Sequence, residues 1–286
     1  LRNAEARESR EKATPEPADV PLALPREVAS GIRKIREHLV IDSEQVAHII
    51  TNLLLGKHVI IGGPTGCGKT TLARLIPSLI WNIYPEIVQA MSSWGAGDLL
   101  GQVYPLPDGG SAVSGILTRT ILKNYQSQSR GYNRAPFRAP NGAQYEGVWL
   151  VLDELDNSDW TALISDFLAA SDADSLRIPV VSSPGEHVKI PLPRDFRLLA
   201  TFNDPDGPRR LEKLSQSTRR RLAFVELHSP SDEAAERKAV RRNVQSTVYE
   251  QLGLATRASD LGGQIENTLF RFVRLTRSYR DIGTAP

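Results

Sequence analysis

The sequence has a single cysteine, no long apolar run and almost no net charge. One cysteine cannot form a disulfide within the chain, so a disulfide-built scaffold is excluded and a reducing compartment is expected. No apolar run approaches the ~20 residues that a membrane helix needs, and residues 1–25 lack the apolar centre of a secretion signal. We therefore expect a cytoplasmic protein without a membrane partner.

The charges of the chain nearly cancel, because 35 Lys and Arg residues face 33 Asp and Glu residues and leave a net charge of +2. This balance gives no global electrostatic reason to expect nucleic acid as a partner, so a nucleic acid would have to bind a local patch. The 286 residues, 40% of them hydrophobic, are enough for a substantial core.

The apolar pattern divides the chain into three parts. Residues 1–25 are charged, contain prolines and have few large apolar side chains, which predicts a flexible arm or linker. In residues 26–228, short β-branched runs alternate with helical stretches, which predicts an α/β domain with a parallel sheet and helices on both faces. Residues 229–286 have helical periodicity only, and we expect a small α-helical domain that is incomplete at Pro286.

Within the α/β part, a helix capped by Asp42 is predicted to lead into the first strand. The predicted strands are His58–Ile61, Ile87–Met91, Val148–Leu152, Phe196–Phe202 and Leu222–Leu227. The predicted helices between them are Thr70–Trp81, Gly115–Tyr125 and Trp160–Ala170.

A glycine-rich segment follows the first predicted strand and directly precedes a predicted helix. It reads Gly63-Pro64-Thr65-Gly66-Cys67-Gly68-Lys69-Thr70 and fits G-x-x-x-x-G-K-[ST], with Thr71 next to it. In such a loop backbone N–H groups surround phosphates, the lysine reaches the β- and γ-phosphates, and the Thr70 hydroxyl binds magnesium. A chance glycine turn is the alternative, but both flanking elements favour a nucleoside triphosphate site that binds Mg²⁺ with ATP or GTP.

Two carboxylates, Asp153 and Glu154, follow the predicted strand Val148–Leu152. Behind a phosphate loop, Asp153 is expected to hold the magnesium and Glu154 to deprotonate the attacking water. An acidic pair at a helix start is the alternative. Asn203 follows the next predicted strand and could bridge the γ-phosphate and the water, although asparagine is also a common turn residue.

These motifs, in this order, resemble those of the AAA+ ATPases, and within them the dynein-related group of MoxR-type chaperones and McrB-type restriction motors. The resemblance runs from Val46 to Pro286 and rests on GPTGCGKT, VLDEL, ATFND and STRRRLAFVEL. It implies a P-loop NTPase fold with a five-stranded parallel sheet and an α-helical lid, and a homo-hexameric ring with nucleotide at each interface. The roles it implies are Walker A for Lys69 and Thr70, Walker B for Asp153 and Glu154, and sensor 1 for Asn203.

Two long intervals resemble inserts of the same group. Residues 94–147 are similar to its helix-2 insert, which usually faces the channel of the ring. Residues 177–191 contain two alternating stretches around Pro184-Gly185, a hairpin signal that resembles the pre-sensor-1 hairpin. Both inserts are expected to grip or move a partner.

The basic run Arg219-Arg220-Arg221 precedes the last predicted strand. By resemblance, Arg221, or its neighbour Arg220, is an arginine finger that reaches the γ-phosphate bound by the adjacent subunit. A solvated face or a nucleic-acid patch is the alternative reading of these arginines. Arg280 is the sensor 2 candidate for nucleotide binding, and an arginine that interacts with a helix dipole is its alternative.

Three functions remain open from the sequence. The first is ATP-driven remodelling or threading of a protein partner by a MoxR-like ring, with a von Willebrand A-type subunit as one partner that the resemblance implies. The second is a McrB-like, GTP-driven motor coupled to a nuclease subunit that acts on DNA. The third is an assembly switch with little turnover, which the intact Asp153 and Glu154 pair disfavours.

Overall fold

The computed structural model describes residues 28–106, 111–126, 132–171, 174–181, 185–203, 214–228 and 267–272, together with 234, 236–238, 241 and 275. The predicted arm at 1–25, Arg280 and most of the predicted lid at 229–286 lie outside the described residues. No helix within the described ranges is long and apolar enough to cross a bilayer.

The elements alternate between helix and strand through most of the described chain. In chain order they are α1 (Val28–His38), α2 (Ser43–Leu54), β1 (His58–Gly62), α3 (Lys69–Trp81), β2 (Ile83–Gln89), α4 (Ala96–Leu99), β3 (Val103–Pro105), β4 (Ser111–Val113), α5 (Ile116–Leu122), β5 (Phe137–Arg138), β6 (Gln144–Tyr145), β7 (Gly147–Asp153), a 3-10 turn (Leu155–Asn157), α6 (Trp160–Ala170), β8 (Ser175–Pro179), β9 (His187–Pro191), β10 (Leu198–Phe202), α7 (Gln216–Arg221) and β11 (Leu222–Glu226).

Five of these strands form one parallel sheet in the order β11-β1-β10-β7-β2. Every residue of β1 and β10 is buried, as expected of parallel strands that are covered on both faces. Helix α3 packs on β1, β2, β7 and β10, whereas α2 contacts β1 and β11. The predicted α/β fold with a five-stranded parallel sheet flanked by helices is therefore confirmed.

One strand begins earlier than the sequence predicts. The prediction placed it at Ile87–Met91, but β2 runs from Ile83 to Gln89 and pairs with β7 along its whole length. The first half of β2 is not recognisable as a strand from the sequence, because it contains Pro85 and Glu86 and neither residue type is common in strands. The edge position of β2 makes the proline tolerable, since a proline at an edge need not donate to a second neighbour.

The described residues form three antiparallel strand pairs outside this sheet; one is β5–β6, and the other two are the hairpins β3–β4 and β8–β9. The hairpins β3–β4 and β8–β9 are joined, because the N–H of Val181 donates to the carbonyl of Val103 at 3.0 Å. The second hairpin pairs Ser175–Pro179 with His187–Pro191 and so begins two residues before the predicted interval 177–191. The strands β3–β6 and helices α4 and α5 occupy the 94–147 interval, whose role as an insert stays a prediction.

Candidate active site

The glycine-rich segment is the loop between β1 and α3, at the carboxyl end of an inner strand of the sheet. Gly63 has φ 137°, and a Cβ there would lie 2.5 Å from the carbonyl oxygen of Leu227. Gly68 has φ 89°, and a Cβ there would lie 2.3 Å from Leu39 Cδ1. Any other residue would therefore be strained and would clash at both positions. This geometry explains why the loop begins and ends with glycine.

The ammonium group of Lys69 lies against the start of the same loop. It donates to the carbonyls of Gly63 at 2.9 Å and Pro64 at 2.8 Å. Burial lowers the pKa of Lys69, and the acidic groups nearby, Cys67 first and then three carboxylates, act in the opposite direction. The loop thus holds a partly desolvated cation beside its own backbone, which suits a phosphate ligand.

The two predicted magnesium ligands meet, although they are 83 residues apart in the chain. Thr70 Oγ1 donates to Asp153 Oδ1 at 2.7 Å. Hydroxyl and carboxylate oxygens are the hard donors that Mg²⁺ prefers, and Mg²⁺ is commonly held by one or two protein groups with phosphate oxygens and water. The residues present therefore fit a magnesium ion bound together with a nucleotide.

Glu154 has a backbone conformation that is rare for glutamate. Its φ and ψ are 52° and 49°, in the left-handed region, which costs about 1–3 kcal/mol and is concentrated at functional sites. Its Oε2 accepts from Gln89 Nε2 at 2.7 Å and from Asn157 Nδ2 at 3.1 Å. The carboxylate is therefore held in place by two amide groups.

Asn203 lies at the same edge of the sheet, directly after β10. Its N–H donates to Asp156 Oδ1 at 3.1 Å, which connects it to the 3-10 turn behind Glu154. The structure thus brings the Lys69 loop, Asp153, Glu154 and Asn203 together, since the carboxyl ends of parallel strands meet at one edge.

Three polar residues of this edge were missed by the sequence reasoning: Gln89, Asp156 and Thr201. Thr201 Oγ1 donates to Asp153 Oδ1 at 2.5 Å and accepts from the N–H of Glu154 at 2.9 Å. Gln89 and Thr201 lie at the carboxyl ends of β2 and β10. Their polar character at the end of an apolar strand is the signal that could have identified them.

The arginines predicted as a finger lie elsewhere. Leu222, which follows Arg221, pairs with His58 at the amino end of β1. The four-residue step from His58 to Gly62 extends about 13 Å at ~3.3 Å per residue. Arg220 and Arg221 are therefore at the opposite end of the sheet from the phosphate loop, and the structure does not bring them to Asp153 and Glu154 of the same chain.

The three arginines of this run have different surroundings. Arg221 Nη1 donates to the carbonyl of Leu168 at 2.8 Å and its Nη2 donates to Ser171 Oγ at 2.7 Å, both at the end of α6. Arg219 and Arg220 are exposed. Arg221 thus connects α7 to the end of α6 by hydrogen bonds, and the exposed Arg219 and Arg220 face outward.

The geometry agrees with the family model that matches this chain. The family model of the AAA domain, dynein-related subfamily, matches residues 58–222, more than half of the chain. No curated protein matches the chain.

Among solved structures, a Cytophaga hutchinsonii protein with a provisional ATPase name is 17% identical and has a TM-score of 0.48; the match covers 85% of this chain and 60% of that protein. NtrX of Brucella abortus, in complex with ADP, is 13% identical and has a TM-score of 0.43, covering 88% of this chain and 47% of that protein. This chain therefore spans less than two thirds of either protein. By the family match, it belongs to the dynein-related subfamily of AAA-domain proteins.

Proposed function

We propose that this chain is a magnesium-dependent nucleoside triphosphatase that uses ATP to remodel or thread a protein partner as part of a ring. The observation that carries the proposal is the bond from Thr70 to Asp153 with Glu154 next in the chain. It places a metal-binding pair and a candidate base beside a phosphate loop. A loop that only binds phosphate would not require Glu154 in a strained conformation.

Each residue of the site has a distinct part in the proposed reaction. Magnesium, held by Thr70 and Asp153, would neutralise charge on the β- and γ-phosphates. Lys69 would turn its ammonium from the carbonyls of Gly63 and Pro64 toward the phosphates. Glu154 would orient the attacking water and accept its proton, and Asn203 would contact the γ-phosphate.

The arginine finger would act between subunits. Because Arg220 and Arg221 lie at the far end of their own sheet, either one must reach a phosphate bound by another copy of the chain. Arg220 is the better candidate, since it is exposed and Arg221 is bonded to α6. This arrangement supports an oligomeric ring, for which the family resemblance suggests six subunits.

The surface of the joined hairpins β3–β4 and β8–β9 supports the proposal that the partner is a protein. They expose apolar side chains close to their junction at Val103 and Val181. These side chains are Tyr104, Leu106 and Val181. Exposed apolar groups suit contacts with a polypeptide better than contacts with the phosphates of DNA.

The test is hydrolysis of ATP and GTP in parallel, with oligomeric mass measured in each nucleotide. Wild type should assemble and hydrolyse ATP with magnesium, and Lys69→Ala should not hydrolyse ATP at the same nucleotide concentration. A clear preference for GTP would favour the motor coupled to a nuclease. No hydrolysis of either nucleotide would contradict the proposal.

Mixed subunits test the finger separately. Arg220→Ala subunits keep an intact phosphate loop, and Lys69→Ala subunits keep an intact arginine. Mixing the two inactive proteins should therefore restore hydrolysis at the interfaces that they share. Inactivity in every mixture would exclude a role of Arg220 between subunits.

A further inference from the structure

Thr201 lies at the point where the central strands meet the proposed site. It is the fourth residue of β10, and its exposed fraction is 1%. On one side it pairs with Ile61 of β1, and on the other side the pair Ala200–Leu152 places it beside Asp153. A polar side chain so deep in an apolar sheet needs hydrogen-bond partners.

The hydroxyl of Thr201 has two partners, and they belong to consecutive residues. It donates to the carboxylate of Asp153 and accepts from the backbone N–H of Glu154. Thr70 Oγ1 donates to the same oxygen of Asp153. Two hydroxyls from different elements therefore converge on Asp153 Oδ1, which fixes the rotation of this carboxylate.

The second bond concerns the backbone of Glu154. In the left-handed conformation its N–H points to β10, where the Thr201 hydroxyl is the acceptor. Gln89 and Asn157 hold the carboxylate end of the same residue. Glu154 is thus held at both ends, and the Thr201 hydroxyl links its backbone N–H to the metal-binding carboxylate.

We propose that Thr201 is a positioning residue that orients Asp153 toward the metal and keeps Glu154 in its left-handed conformation. This inference rests on the proposed hydrolytic function of the same site. Thr201 touches neither nucleotide nor water in this role, and acts through the two residues that do. Its β-branched side chain has few rotamers, so the hydroxyl is already directed before substrate binds.

The test compares Thr201→Val, which keeps the shape and loses the hydroxyl, with Thr201→Ser, which keeps the hydroxyl. We expect Thr201→Val to lower kcat by about 10–100-fold, the usual effect of losing a group that orients a metal ligand. Its affinity for fluorescent ADP without magnesium should equal that of wild type. Magnesium should still change the ADP affinity of Thr201→Val, but the magnesium concentration at half of this effect should be higher than in wild type. Thr201→Ser should restore both kcat and the magnesium requirement.

Thr118→Val is the matched control, because Thr118 is also fully buried and its hydroxyl donates to the carbonyl of Leu100 at 2.5 Å, away from the site. It should leave kcat and the magnesium requirement unchanged. If Thr201→Val does not fold, Thr201→Ala takes its place in the comparison.

Four outcomes would overturn the inference: wild-type kcat and magnesium requirement in Thr201→Val, the same loss in Thr201→Ser, an equal loss in Thr118→Val, or unfolding of both Thr201→Val and Thr201→Ala. Failure of the proposed hydrolytic function can be distinguished from failure of the inference about Thr201. If wild type hydrolyses no nucleotide, the magnesium dependence of ADP binding still decides whether Thr201 orients Asp153.

Discussion

His58, the first residue of β1, should make the stability of the protein depend on pH. The ring is buried, its Nδ1 accepts from the N–H of Leu198 at 3.0 Å, and its edge packs on Phe167 at a centroid distance of 5.0 Å. Burial lowers the pKa of His58 to about 3, and the charges of Arg197 and Arg221 act in the same direction. The folded protein therefore keeps this ring neutral.

The direction of the effect follows from the two pKa values. Because the pKa of His58 is about 3 in the folded state and 6.5 in the unfolded state, the unfolded chain takes up the proton first as pH falls. The neutral His58 ring contributes fully to the free energy of unfolding above pH 6.5, and this contribution is lost progressively between pH 6.5 and 3. At pH 5 the free energy of unfolding should have fallen by about 2 kcal/mol from this group alone.

Urea unfolding of wild type, His58→Asn and His48→Asn at pH 7.5 and pH 5 measures this effect. An asparagine at position 58 can still accept a hydrogen bond but does not titrate. The loss of unfolding free energy between the two pH values should be about 2 kcal/mol smaller in His58→Asn than in wild type. The exposed His48 is the control and should behave as wild type. An equal loss in all three proteins would refute the reasoning.

Two further predictions concern the loop and the arginines. Gly63→Ala should abolish ADP binding and lower the free energy of unfolding by at least about 1–3 kcal/mol, because its Cβ would meet the Leu227 carbonyl. Gly95→Ala, which has open space around it, should change neither property, and equal behaviour of the two variants would contradict the loop geometry. Arg221→Ala should lower the free energy of unfolding by about 1–3 kcal/mol through its lost bonds to α6. Arg220→Ala should change the free energy of unfolding by less than about 0.5 kcal/mol and should lose hydrolysis. If thermal unfolding and turnover instead show a large loss of stability in Arg220→Ala and a loss of hydrolysis alone in Arg221→Ala, the structural role belongs to Arg220 and the finger role to Arg221.

Much of the site could be predicted from the sequence, because its signals are local. The phosphate loop is contiguous and lies between a strand and a helix. Asp153 and Glu154 end an apolar strand, and Asn203 follows another. In each case the polar residue comes directly after a buried run, and parallel strands bring such ends to one edge.

The contacts of the site that the sequence does not predict depend on which strands are neighbours in the sheet. Thr201 contacts Asp153 only because β10 lies between β1 and β7, and no local pattern states that order. The bond from Gln89 to Glu154 likewise requires the pairing of β2 with β7. The three consecutive arginines are equivalent in sequence, and the hydrogen bonds of Arg221 to Leu168 and Ser171 are what distinguish it from its neighbours.

The most direct test of a hydrolytic site is Glu154→Gln, which removes the proposed base and keeps the size of the side chain. The variant should bind ATP with magnesium as tightly as wild type and hydrolyse it at least about 100-fold more slowly, as expected when a general base is lost. Bound nucleotide should then be recovered as ATP rather than ADP. Hydrolysis at the wild-type rate in this variant would contradict the assignment of the active site.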